Sequence, residues 1–146
     1  MARYVTSVRS PWTAEQAFDF MADLRHFADW DPGVRRVTQT SGTGGGSDAV
    51  FDVTVASVPK DLVLTYRTVD YDSPRSLLVV AKSRMFVSED RVRVTPDGSG
   101  CTVEYDAQLR LNGPLHLFDL GLRLVFKRIG DRAAGGLRAA LEGSFV

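Results

Sequence analysis

Residues 101–114 read Cys101-Thr102-Val103-Glu104-Tyr105-Asp106-Ala107-Gln108-Leu109-Arg110-Leu111-Asn112-Gly113-Pro114. Val103, Tyr105, Ala107, Leu109 and Leu111 alternate strictly with Thr102, Glu104, Asp106, Gln108 and Arg110. Successive strand side chains point to opposite faces, so this run predicts a strand with one buried and one wet face. Such alternation belongs to an antiparallel sheet, because parallel sheets are covered on both sides. Gly113-Pro114 then opens a helix, proline being tolerated in a first helical turn.

The helical spacing is expected to continue to about Leu141, roughly 40 Å at 1.5 Å per residue. Its predicted inner stripe is Phe118, Leu122, Val125, Phe126, Ile129, Ala133, Leu137 and Ala140. Arg132 and Arg138 keep the second half amphipathic, whereas Leu115, Leu117, Leu120 and Leu124 add apolar side chains outside the stripe in the first half. Two readings of that first half are open. It is buried under loops or a partner subunit, or it lines the mouth of a ligand cavity or meets a membrane.

Upstream, Pro96-Asp97-Gly98-Ser99-Gly100 is the strongest hairpin signal in the chain. Before it, residues 86–95 alternate with Val92 and Val94 inward and Arg91 and Arg93 outward. Further strands are expected at 76–84, 62–71, 49–57 and 34–40, with Phe51, Val53 and Val55 sharing one face. The facing of 76–84 stays ambiguous, because both faces there carry apolar residues. Residues 2–10 also alternate. Thr13-Ala14-Glu15-Gln16 is a capping-box pattern, so a short helix carrying Ala17, Phe18 and Met21 follows. Asp23 caps a second one with Leu24, Phe27 and Trp30 on a stripe, ended by Asp31-Pro32-Gly33.

The order is one strand, two short helices, six strands and one long helix. It predicts an α+β domain over residues 1–146, in which a curved antiparallel sheet of about seven strands is covered by the long C-terminal helix. A sheet gripping a single helix leaves an internal cavity that side chains need not fill.

The bulk numbers narrow the function classes. Eighteen basic and 18 acidic residues balance. That lacks the basic excess of a chain that grips nucleic acid by counterion release, so no nucleic-acid partner is expected. Cys101 is the only cysteine and His26 and His116 the only histidines, so neither a disulfide nor a metal cluster is expected. No segment approaches the roughly 20 apolar residues of a membrane span, and the N-terminus lacks the apolar run of a signal peptide. A cytoplasmic setting without a cofactor is expected.

The run Ala17-Phe18-Asp19-Phe20-Met21-Ala22-Asp23-Leu24 with Phe27, followed by Trp30-Asp31-Pro32-Gly33-Val34, resembles START-like (SRPBCC) proteins of the polyketide cyclase/dehydrase and lipid-transport type. Further matches follow in order at Tyr66, Tyr71-Asp72-Ser73-Pro74-Arg75, Asp97-Gly98-Ser99-Gly100-Cys101-Thr102, Leu109-Arg110-Leu111-Asn112-Gly113-Pro114 and Ala133-Ala134-Gly135-Gly136-Leu137. The resemblance covers nearly the whole chain. It implies a helix-grip fold with a deep cavity between sheet and helix. It also implies a hydrophobic ligand such as a lipid, sterol, quinone, plant hormone or polyketide, with cyclisation or aromatisation in some members. These motifs are turns, caps and packing positions, so they carry fold more than function.

The candidate ligand wall is Trp30, Phe51, Val53, Tyr66, Phe86, Tyr105, Leu109, Phe118, Leu122 and Phe126, with Arg84 orienting a polar end. Burying about 300 Å² of apolar ligand contributes roughly 7 kcal/mol, offset by association costs of about 4 kcal/mol or more. Useful affinity therefore needs a larger ligand or a few placed polar contacts. Presumed inward polar residues are Tyr66, Lys82, Arg84, Asp90 and Tyr105; these are also the candidates for acid/base chemistry in the rival reading, a polyketide cyclase/aromatase or dehydratase. A triad from Cys101, His26 and His116 is not expected from their spacing. The glycines at 42–46 lead into a strand and not a helix, so they do not make a phosphate cradle. A third reading, an interaction protein or homodimer, requires Leu117, Leu120 and Leu124 to form an exposed patch.

Overall fold

A computed structural model describes residues 1–57 and 59–146. The chain runs β1 (Ala2–Ser10), α1 (Ala14–Ala22), a 3-10 turn (Leu24–His26), α2 (Phe27–Trp30), β2 (Val34–Ser41), β3 (Val50–Val55) and β4 (Leu62–Asp72). It continues with β5 (Ser76–Lys82), β6 (Phe86–Asp97), β7 (Gly100–Leu111), a 3-10 segment (Gly113–Phe118), α3 (Asp119–Ala140) and β8 (Ser144–Phe145). One antiparallel sheet has the order β2-β3-β4-β5-β6-β7-β1-β8. The expected helix-grip architecture is present, with the predicted elements in the predicted order.

Local chemistry explains the boundaries. The Thr13 hydroxyl accepts from the Gln16 N–H and the Gln16 side chain accepts from the Thr13 N–H, closing the capping box of α1. Gly98 adopts φ 63° in the β6–β7 hairpin, a conformation that a side chain makes costly. Leu77, Val79 and Ala81 are buried while Lys82 is exposed, which fixes the facing of β5 that the sequence left ambiguous.

Two features differ from expectation. An eighth strand exists: Glu142 at φ 54° and Gly143, packed against the Arg9 carbonyl, turn the chain back so that Phe145 and Ser144 pair with Val8 and Arg9. Two residues are too short for an alternation signal. The second difference concerns the predicted inner stripe of the long helix. Phe118, Val125 and Ile129 are exposed, Leu122 and Phe126 are half-buried, and full burial is confined to Ala133, Ala134 and Leu137 with Leu141 beyond.

Glycine positions supply the reason. At Gly130 a Cβ would collide with the Tyr4 ring, and at Gly136 with the Trp30 backbone, so the helix rests on β1 and α2 at these two points. Both lie in its second half. Ahead of Gly130 the helix overhangs the concave face of the sheet, and Leu117, Leu120 and Leu124 are each at least 70% exposed. The patch that an interaction protein would require is present. Among the described residues no helix is long and apolar enough to cross a membrane.

Candidate functional site

The concave face can be read as rows across the sheet, because antiparallel register puts paired residues side by side. Phe86 and Leu111, both half-buried, form the row at one end of this face. Next comes Phe51–Tyr66–Ala81–Ser88–Leu109–Ala2. Deeper lies Thr68–Val79–Asp90–Ala107–Tyr4, then Leu77–Val92–Tyr105–Thr6. Val94–Val103–Val8 closes the far end. Polar groups thus occupy the middle of an otherwise apolar surface.

Two hydrogen bonds organise them. Ala81 is small, so the Tyr66 hydroxyl reaches across it to Ser88 Oγ at 2.8 Å. The Tyr105 hydroxyl runs diagonally to the next strand and donates to Asp90 Oδ2 at 2.6 Å. Trp30 and Tyr105 pack in a T-shape (centroids 5.3 Å apart, 80° between planes), and Phe27 stacks on Trp30 at 4.7 Å. Such aromatic pairs add to their area burial and hold the phenol in place. Asp31, next in sequence to Trp30, is buried and accepts the Gly33 N–H at 2.8 Å.

The electrostatics follow from burial. Asp90 is 5% exposed. Burial pushes its carboxyl up from the ordinary range to about 7; the Tyr105 hydrogen bond opposes this, and the Asp31 and Asp106 charges add to it. Burial, followed by the charge of Asp90, holds both the Tyr66 and the Tyr105 phenol well above 10. Burial likewise raises the Asp31 carboxyl against the hydrogen bond from Gly33. The Thr68 hydroxyl is buried with no hydrogen-bond partner among the described residues.

The site residues read from the sequence divide into groups. Trp30, Tyr66 and Tyr105 converge around Asp90. Phe51 and Val53 lie in the fully buried core of β3 beside them. Phe86, Leu109, Leu122 and Phe126 are half-buried, and Phe118 stands out in solvent. Arg84 is exposed in the turn between β5 and β6, and Lys82 is exposed at the strand end, so neither cation reaches the buried polar row.

Ser88, Thr68 and Asp31 were not anticipated. Ser88 shares the strand parity of Asp90, and Thr68 that of Tyr66; parity was the available signal. Asp31 read only as a turn residue. His26 bonds Asp29 and stacks on Phe20, His116 bonds the Gly113 carbonyl, and Cys101 is buried near the Thr13 carbonyl, so these three are not assembled. Among the described residues no group of His, Cys, Asp and Glu could hold a metal ion.

The enclosed space beside Asp90 and Tyr105 measures about 10 Å³ and is lined also by Met21, Leu24, Trp30 and Leu77. That is room for one water. A larger open groove of about 640 Å³ runs along the outer side of α1, past Trp12, Phe20, His26 and Gly45, and contains none of the predicted site residues.

This chain belongs to the family described as polyketide cyclase/dehydrase and lipid transport, which matches residues 1–142. A START superfamily protein from Mycobacterium smegmatis has a similar structure, with TM-score 0.77 and 14% identity, covering 97% of this chain and 98% of that one. The Zhui aromatase/cyclase from Streptomyces sp. R1128 is similar at TM-score 0.72 and 15% identity, covering 96% of this chain and 93% of that one. The di-domain aromatase/cyclase BexL of the BE-7585A biosynthetic pathway matches at TM-score 0.71 and 12% identity, over 97% of this chain and 50% of that one. At these identities the likeness is one of fold. No curated protein sequence matches the chain.

Proposed function

We propose that the protein binds a hydrophobic small molecule, of polyketide, quinone or lipid type, on the concave face between sheet and C-terminal helix. The observation that carries this reading is the buried Tyr105–Asp90 hydrogen bond, set in a surface otherwise built from Leu77, Val79, Val92 and Trp30. A buried ionisable pair contributes little to net stability compared with apolar packing of the same volume. Placed beneath an apolar mouth, it supplies the polar contacts that apolar burial alone lacks for useful affinity. Family membership and the START-like fold support the same class of ligand.

A second reading, a cyclase/aromatase or dehydratase, rests on the same carboxyl. Cyclising a polyketide chain requires removal of a proton from a carbon between carbonyls, and a base poised near neutral pH does this best. Asp90, held at about 7, has that poise, with the Tyr105 phenol beside it as a donor.

Native mass spectrometry of freshly purified protein, followed by solvent extraction, tests the first reading. A discrete hydrophobic compound at stoichiometric occupancy is the expected result. Failure to retain any compound, together with no binding of the fluorescent probe ANS, overturns it. Undiminished turnover of an aromatase/cyclase substrate by Asp90→Asn removes that residue as the base.

A further inference from the structure

We infer that the concave-face site selects ligands whose buried end is a neutral hydrogen-bonding group, a hydroxyl or enol, and discriminates against carboxylates such as fatty acids. This rests on the binding reading above and adds the chemistry of the end that enters first.

Among the described residues the polar side chains on the concave-face rows are Asp90, Tyr66, Tyr105, Ser88, Thr68, Thr6 and Tyr4, the last bonded to Asp131 at the edge, with the Asp31 charge acting on Asp90; none is basic. The charges acting on Asp90 are those of Asp31 and Asp106, both acidic. Two arginines on neighbouring strands are committed elsewhere: Arg3 forms a two-point bridge to Asp106, at 2.7 and 3.0 Å, and Arg91 pairs with Asp70. Arg84 and Lys82 stay in solvent. A ligand carboxylate brought to this row would place a second negative charge beside Asp90 with water excluded. Like charges in such a setting cannot both remain ionised without a penalty.

A hydroxyl meets the opposite situation. Asp90 Oδ1 has no hydrogen-bond donor among the described residues, because Tyr105 donates to Oδ2. Tyr66 and Ser88 share one hydrogen between their two oxygens, which leaves one hydroxyl hydrogen free to donate. Thr68 Oγ1, two strands from Asp90 in the same row, is buried and unpartnered. An entering hydroxyl or enol fits the water-sized space beside Asp90 and Tyr105 and donates to Asp90 Oδ1. Of these atoms the Thr68 hydroxyl is the buried one left unmet, and an unmet buried polar group is costly, so it too favours a ligand with a hydrogen-bonding end.

Matched pairs test the selection: 1-dodecanol against dodecanoate, and 2-naphthol against 2-naphthoate, each by native mass spectrometry and by displacement of ANS at pH 8. The alcohol of each pair is expected to bind more tightly by about tenfold or more, the effect of one unit of like-charge repulsion. In Asp90→Asn, which keeps the volume and the Tyr105 contact, the gap should shrink. Equal or tighter binding of the carboxylates by the wild-type protein overturns the selection while leaving the binding reading standing. If no member of either pair binds and ANS is not taken up, the binding reading itself falls.

Discussion

Gly136 of α3 lies against the backbone carbonyl of Trp30 so closely that no side chain can stand at that position. Trp30 in turn packs edge-on against Tyr105, the donor to Asp90. One glycine therefore sets how closely the long helix approaches α2, and through Trp30 it fixes the position of the buried phenol.

Gly136→Ala is expected to destabilise the protein by about 1–3 kcal/mol, as overpacked sites do. Gly135, its neighbour on the same helix, has nothing near its would-be Cβ. Gly135→Ala should stabilise by about 0.5–1 kcal/mol through helix propensity. Urea denaturation of the two variants checks both signs, and equal effects would contradict the contact.

Leu137 is fully buried, whereas Leu124, ahead of the Gly130 contact, is 70% exposed. Leu137→Ala should cost about 2–5 kcal/mol. Leu124→Ala should stay within about 0.5 kcal/mol. Thermal unfolding of both separates a helix anchored by its second half from one buried along its whole length.

Stability should fall as pH rises from about 4 to about 7. The folded carboxyl of Asp90 sits near 7 and an unfolded aspartate near 3.9. Between these values the folded state binds more protons, which makes the slope of unfolding free energy against pH negative. The stabilisation from protonated Asp90 is full below the lower value and lost by passage through the upper one. Asp31, raised by its own burial, adds in the same direction. Denaturation midpoints at pH 5 and pH 8 should differ less in Asp90→Asn than in the wild-type protein.

Tyr105→Phe removes the one hydrogen bond that lowers the Asp90 carboxyl against burial. The Asp90 titration, followed by carboxyl carbon NMR, should move above about 7 in that variant. An unmoved midpoint would show that the phenol does not stabilise the charged form.

The alternation at 101–111, the hairpin signal at 96–100 and the capping box at Thr13 made most of the fold legible, because period and turn chemistry are local properties. Tyr66 and Tyr105 were legible as inward residues for the same reason. Asp90 was placed inward by the parity of Val92 and Val94, yet its pairing with Tyr105 was not visible. That contact depends on the β6–β7 register and on the Trp30 ring from a distant helix.

The sequence by itself determined the order of the main elements and which residues share a face in strands such as β3, β6 and β7, since these depend on neighbours within a few positions. Only the tertiary structure decided that the first half of α3 overhangs with its leucines exposed, that Arg84 stays in solvent, and that Asp90 is buried with acidic charges alone around it. The approach of Gly130 to Tyr4 and of Gly136 to Trp30 sets how the helix lies, and burial and long-range packing are properties of the assembled chain.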